Sequence, residues 1–162
     1  MTDELGEIFG LDVDPFNVAE EYVPDPLVPD GMYQGIITNV VHKKDINILE
    51  FTISFQGNEG INCIDNITPI DGKTSKYALW LPRKGDELVP SKFSALTVRQ
   101  DRIRTIKKFS EKMTITIGTE NDIKQAIESQ LWLSIPVYAQ VKSRLYEGEL
   151  YNHITKLERI KS

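Results

Sequence analysis

Leu133-Ser134-Ile135-Pro136-Val137-Tyr138-Ala139-Gln140-Val141-Lys142-Ser143-Arg144 alternates with a period of two. Odd positions are small or apolar, and even positions include Tyr138, Gln140, Lys142 and Arg144. Alternation over this length predicts a strand with one face on a core and one in water. Glu147-Gly148-Glu149 offers turn chemistry, and Tyr151 to Ile160 reads as a second strand paired with the first. The stretch from Leu131 to Ile160 is therefore expected to form a hairpin. Its polar face carries an aromatic, an amide and two cations.

Working outward, Gly31 to Val41 predicts a long first strand, with Gly35 at a bulge or a barrel corner. His42-Lys43-Lys44-Asp45 would connect it to a second strand whose Leu49, Phe51, Ile53 and Phe55 share one side. Ile61 to Ile67 is expected as a further strand, and Tyr77 to Leu81 as a short apolar one. From Ser94 to Met113 the period changes. Leu96, Ile103, Ile106, Phe109 and Met113 fall mostly at steps of three and four, which is helical spacing. Thr119 with Asp122 reads as the capping box of a second, shorter helix ending near Ser129. Strands, helical insertion and closing hairpin together predict a mainly β protein. The expected architecture is a five-stranded barrel of the oligonucleotide-binding (OB) type, with two helices before the C-terminal hairpin. A mixed α+β sheet is the competing arrangement.

The chain has 162 residues and a net charge of −5, but the charge is unevenly distributed. Residues 1–30 hold nine acids and no Lys or Arg, so the remaining 132 hold 19 bases and 15 acids. This division predicts an acidic, flexible arm over residues 1–30 and a mildly basic domain over 31–162, which permits a polyanionic partner. Pro24, Pro26 and Pro29 make the end of the arm a linker that cannot be helical throughout. No apolar run is long enough to cross a bilayer, and the first residues lack the pattern of a secretory signal, so the expected compartment is intracellular. On that expectation the glycosylation spelling Asn66-Ile67-Thr68 reads as coincidence.

Several chemistries are disfavoured by spacing. Gly72-Lys73-Thr74 lacks the upstream glycine of a phosphate-binding loop, since Ile67 stands in its place and Pro69 intervenes. The single cysteine, Cys63, lies in an apolar stretch with no histidine close in sequence, so a buried thiol is expected. His42 and His153 are too few for the usual zinc patterns, and the acids of the arm lack calcium-loop spacing. No enzyme, metal or cofactor is expected.

Aromatic and basic residues do recur together. Tyr77 and Trp80 stand near Lys76, Arg83 and Lys84; Tyr138 stands with Lys142 and Arg144; and Tyr146 and Tyr151 flank the hairpin turn. Lys43 and Lys44 fall in the first inter-strand connection. Rings that stack on bases and cations that follow phosphates are what a single nucleic-acid strand needs. Against this, any one of these rings could be ordinary core, and Trp132 and Phe109 are assigned to the core. The cations of the 94–113 helix, Arg99, Arg102, Lys107 and Lys108 among them, read either as a solvated face or as the extension of a groove.

Two segments carry a resemblance. Val28-Pro29-Asp30-Gly31-Met32-Tyr33-Gln34-Gly35, and the strand ending at Val141-Lys142 followed by Glu147-Gly148-Glu149-Leu150-Tyr151-Asn152-His153-Ile154, make the chain resemble the single-stranded-DNA-binding proteins of bacteriophages. The resemblance spans residues 28 to 160 but rests on its two ends. It implies an OB fold and a sequence-independent role in protecting exposed strands during DNA replication, recombination or repair, in the host cytoplasm. Those proteins commonly carry an acidic partner-recruiting segment at the C-terminus, whereas this chain ends in Arg159-Ile160-Lys161-Ser162. By that analogy the N-terminal arm would recruit replication or recombination proteins, or cover a basic groove. A homo-oligomer is an open expectation. The alternative is an OB-type protein-interaction module, a phage structural or accessory protein that does not bind nucleic acid.

Overall fold

Five strands, β1 (Gly31–Lys43), β2 (Ile48–Phe55), β3 (Thr74–Trp80), β4 (Pro136–Tyr146) and β5 (Glu149–Arg159), form one antiparallel sheet in the order β3-β2-β1-β4-β5. The computed structural model describes residues 25–161. Both helices, α1 (Val98–Met113) and α2 (Glu120–Glu128), lie in the connection between β3 and β4. The protein is thus mainly β, and among the described residues every strand pairing in the sheet is antiparallel. The end strands β3 and β5 approach one another, but among the described residues no ladder of hydrogen bonds joins them, and the sheet is open.

The hairpin follows the alternation. Val137, Ala139 and Val141 are buried, while Tyr138, Lys142 and Arg144 are exposed. The turn is tighter than expected: Glu147 (φ 51°) and Gly148 (φ 82°) alone connect Tyr146 to its partner Glu149. Two successive residues in the left-handed region match the right-handed twist of the flanking strands. The strand begins at Pro136 rather than Leu133, because Gln130 and Ser134 also take positive φ and keep the preceding residues in turns. In β5 a register shift opposite Gln140/Val141 makes Thr155 the extra residue. Ile154 and Leu157, three apart, can therefore both point into the core.

Strand β1 uses the same device. Its register shift lies between Ile37 and Asn39, so the bulge is at Thr38 and not at the expected Gly35. Gly35 has another constraint: it pairs with Phe55 on one side and Val137 on the other. A Cβ there would lie 2.7 Å from both Ile53 Cγ2 and the Ser54 carbonyl oxygen. Lys43, expected in a connection, closes β1, and the turn is 44–47.

The expected strand over Ile61–Ile67 does not form. The segment is a loop whose one β-bridge joins Asn62 to Pro69 and whose backbone bonds otherwise run to its own turn and to Leu27. Asp65 turns it, accepting from Ile67 N (3.0 Å), Thr68 N (2.9 Å) and Thr68 Oγ1 (2.6 Å), while Asn66 adopts φ 61°. Those local bonds compete with a ladder. Cys63 is buried as expected, and burial pushes its thiol pKa up.

Both helices start on capping boxes. Gln100 N donates to Thr97 Oγ1 (3.2 Å) and Thr97 N to Gln100 Oε1 (3.0 Å); Thr119 and Asp122 make the second box, as expected. The caps place α1 from Val98, four residues after the expected start. Ile106, Phe109 and Met113 of α1 meet Ile123 and Ala126 of α2 in the same core as the inward face of the sheet. The Phe51 ring lies 5.1 Å from Phe109 and 5.3 Å from Trp132, edge to face with the latter. Each such fully buried side chain contributes about 1.5–3 kcal/mol.

The expected arm, residues 1–30, lies outside the described residues except for its last six. Most of those six are not a free linker. Val28 is buried, its N–H donating to Asn152 Oδ1 (2.8 Å) and its carbonyl accepting from Asn152 Nδ2 (2.9 Å). Asp30 Oδ1 accepts from Ser143 N (2.8 Å) and Ser143 Oγ (3.0 Å). Ile64 N donates to the Leu27 carbonyl (2.9 Å), so the body begins at about Leu27. Among the described residues, no helix is long and apolar enough to cross a membrane.

Candidate functional site

The charge of the body is concentrated in one segment. From Lys76 to Lys112, ten Lys and Arg stand against four Asp and Glu. The fold places that segment on β3, the β3–α1 connection and α1. At the end of β3, Leu79 points inward and is buried, which turns Trp80 outward with 46% of its surface exposed. Two guanidiniums lie close to the ring: the Cζ of Arg83 is 5.5 Å from its centroid and that of Arg102 5.3 Å. Such contacts leave an indole fixed but still accessible.

Arg102 comes from α1 and is held by Asp86. Its Nη1 donates to Asp86 Oδ2 (2.8 Å) and to the Leu81 carbonyl (3.3 Å). The same carboxylate oxygen accepts from Arg83 N at 2.6 Å. One buried acid thus sets the course of the chain after β3 and anchors a cation beneath Trp80. Beside Trp80 a cleft of about 500 Å³ opens towards Val89, Lys92, Phe93 and the first turns of α1.

The other expected site residues lie elsewhere. Tyr77 faces inward. Its ring stacks on Phe109 with 5.7 Å between centroids, and burial pushes its hydroxyl pKa up. Lys84 is exposed in the loop after β3. Lys43 pairs with Glu50 (3.1 Å), which also meets Lys76 (3.4 Å). Burial pushes the Glu50 carboxyl up, but the hydrogen bond from Lys43 and the charge of Lys76 outweigh it and leave the pKa below its usual value. Lys44 is exposed in the β1–β2 turn, beside a second cleft of about 640 Å³ shared with α2.

Tyr138 is exposed on β4 between Gln34 of β1 and Glu158 of β5. Lys142 lies opposite His153 on the same hairpin. Arg144, Tyr146 and Tyr151 line a shallow cleft of about 410 Å³ at the hairpin tip, the two tyrosine rings edge to face at 6.5 Å. Trp80 pairs across Ile48 with Lys43, whereas Tyr138 pairs with Gln34. Nine residues of β1, about 30 Å along the strand, and three strand spacings, about 14 Å across the sheet, separate them. One base cannot touch both, and only a strand of several nucleotides could reach from one to the other.

The Trp80 cleft is lined in part by residues 89–93, for which the sequence alone suggests no role, Lys92 and Phe93 among them. Phe93 lies among Leu88, Val89, Ala95 and Leu96, so nothing in the sequence marks it as exposed. Among the described residues, no group of three His, Cys, Asp or Glu side chains converges as a metal site would require. No protein-family model matches this sequence, and no curated protein does.

Proposed function

We propose that the chain binds single-stranded DNA, largely without regard to sequence, and protects exposed strands during replication, recombination or repair. The observation that carries the reading is Trp80: an accessible indole with two guanidiniums close to it, in the segment that holds most of the body's positive charge. Base stacking and phosphate neutralisation need that pairing of groups and no covalent chemistry.

The sheet order and the two helices between β3 and β4 support a finer reading of the fold, an OB-type barrel with the seam between β3 and β5 unpaired. In such a barrel, strands 2 and 3 and the adjoining loops face the ligand, and Lys76, Trp80 and Lys43 lie on that side. The resemblance to phage single-stranded-DNA-binding proteins adds to this reading through Val28–Gly35 and the β4–β5 hairpin.

Titrating the full chain with a labelled oligothymidylate at several salt concentrations tests the proposal. Affinity should fall with salt by about 0.7 log units per log unit for each phosphate neutralised. Absence of binding at low salt would reject it. The exposed Leu88, Val89, Leu145 and Leu150 favour a second reading, a protein-interaction module on the same scaffold. Under that reading the titration gives no signal.

A further inference from the structure

The β3–α1 connection ends in a loop, residues 89–98, that is held by several hydrogen bonds. Val98 N donates to the Val89 carbonyl (2.8 Å) and Ser91 N to the Leu96 carbonyl (2.8 Å). Inside that frame, Phe93 N donates to Ser91 Oγ (3.0 Å) and Leu96 N to Ser94 Oγ (3.1 Å). Ser94 Oγ in turn donates to Asp101 Oδ1 (2.8 Å), which fastens the loop to the first turn of α1. At its tip stands Phe93, 95% exposed.

This is an unusual use of hydrogen bonds. The loop is hydrogen-bonded along its length, yet its largest apolar side chain is left in water, where it adds nothing to the core. Phe93 and Trp80 line the same cleft, with three cations, Arg83, Lys92 and Arg102, and one acid, Asp101, around it. At about 500 Å³ the cleft falls within the range of small-ligand sites. Two aromatic rings offer π-faces, and the surrounding cations suit an anionic ligand.

We infer that this cleft is a nucleobase-binding subsite: one unpaired base of a single strand enters between Trp80 and Phe93, and Arg83 and Lys92 contact the phosphates beside it. The inference rests on the single-stranded-DNA reading and deepens it, giving the 89–98 loop the role of a clamp. A base is favoured over an apolar peptide side chain by the cations, which a peptide would have to meet with acids. Base identity matters little, because every base has a π-face.

The test uses the full chain and its own fluorescence. Trp132 is buried and Trp80 accessible, so quenching on ligand addition reads Trp80. Wild type and Phe93→Ala are titrated with an oligothymidylate, with an abasic oligomer of equal length, and with an acidic peptide. Wild type should be quenched by the oligothymidylate, and Phe93→Ala should bind it about tenfold more weakly, the effect of losing one stacked base. Both proteins should bind the abasic oligomer alike, since its phosphates remain. Because Phe93 is exposed, the substitution leaves the fold intact. Equal affinity of both proteins for oligothymidylate, or binding without quenching, overturns the subsite while leaving DNA binding in place. Failure of wild type to bind either oligomer overturns both. Quenching by the acidic peptide alone assigns the cleft to a protein and overturns the subsite.

Discussion

Arg102 lies beneath Trp80 because Asp86 holds it there: the guanidinium is 2.8 Å from the carboxylate and 5.3 Å from the centre of the indole. The pair is largely withdrawn from water, with the two side chains 18% and 12% exposed. A charge pair in that setting is costly to break from one side, since the survivor stays half-buried without its partner. The ion pairs of Lys43 and Lys76 with Glu50 have less leverage: Glu50 is as withdrawn as Arg102, but the two lysines are 46% and 62% exposed and water screens them.

Replacing Asp86 with alanine should therefore lower stability by about 2–3 kcal/mol, through the loss of two hydrogen bonds and an uncompensated Arg102. Urea denaturation should show a lower midpoint with an unchanged slope. The native emission of Trp80 should change as well, because Arg102 is freed from its place under the ring. A midpoint equal to wild type would show that Asp86 does not organise this corner.

Glu50→Gln should strengthen binding of oligothymidylate. Glu50 lies on the outward face of β2 and occupies both Lys43 and Lys76. Neutralising it removes a repulsive charge and frees two ammonium groups for phosphates. The slope of log affinity against log salt should steepen by up to about 1.4, from two added phosphate contacts at 0.7 each. An unchanged slope would place the DNA path away from β2.

Gly35→Ala should destabilise the protein by about 2–3 kcal/mol, because the added methyl meets Ile53 and the Ser54 backbone at 2.7 Å inside a packed sheet. A lower melting temperature by circular dichroism is the readout. DNA affinity at a temperature where both proteins are folded should stay as in wild type, since Gly35 is buried.

The parts of this fold that were legible from sequence are those written in local pattern. The alternation of Val137, Ala139 and Val141, the run Leu49 to Phe55 and the Thr119–Asp122 box each specify a structure within a few residues. Ile61–Ile67 misled because its apolar content resembles a strand, whereas Asp65 and Asn66 commit the backbone to a turn. The bulges at Thr38 and Thr155 depend on which strand lies opposite, and no local pattern encodes that. The candidate site was half legible. Trp80 and Arg83 are close in sequence, but Asp86, Phe93 and Arg102 reach the same place only through the turns of the β3–α1 connection. Tyr77 has the same composition of neighbours as Trp80 and faces the other way, because its alternation puts it over Phe109.

The pH dependence of stability should show two limbs of different origin. Glu50, Asp65 and Asp101 have carboxyl pKa values below the usual. For Asp65 the cause is the Thr68 hydroxyl and the neighbouring backbone amides, and for Asp101 the hydroxyls of Ser91 and Ser94. A carboxyl with a lowered folded pKa stabilises above its unfolded value of about 4, and that contribution is lost as pH falls through the folded value. The melting temperature should thus drop below about pH 4. Asp101→Asn should flatten this limb and loosen the loop that carries Phe93. Cys63 gives the opposite sign: burial raises its pKa, so the neutral thiol stabilises fully below its unfolded value of about 8.5. Above that pH the unfolded chain ionises first and stability falls until the folded value is passed. Cys63→Ala should cost stability at neutral pH through the lost packing, yet lose less on going from pH 8 to 9.5. Melting curves of both proteins across that interval decide the matter; parallel curves would mean that Cys63 does not contribute to the alkaline limb.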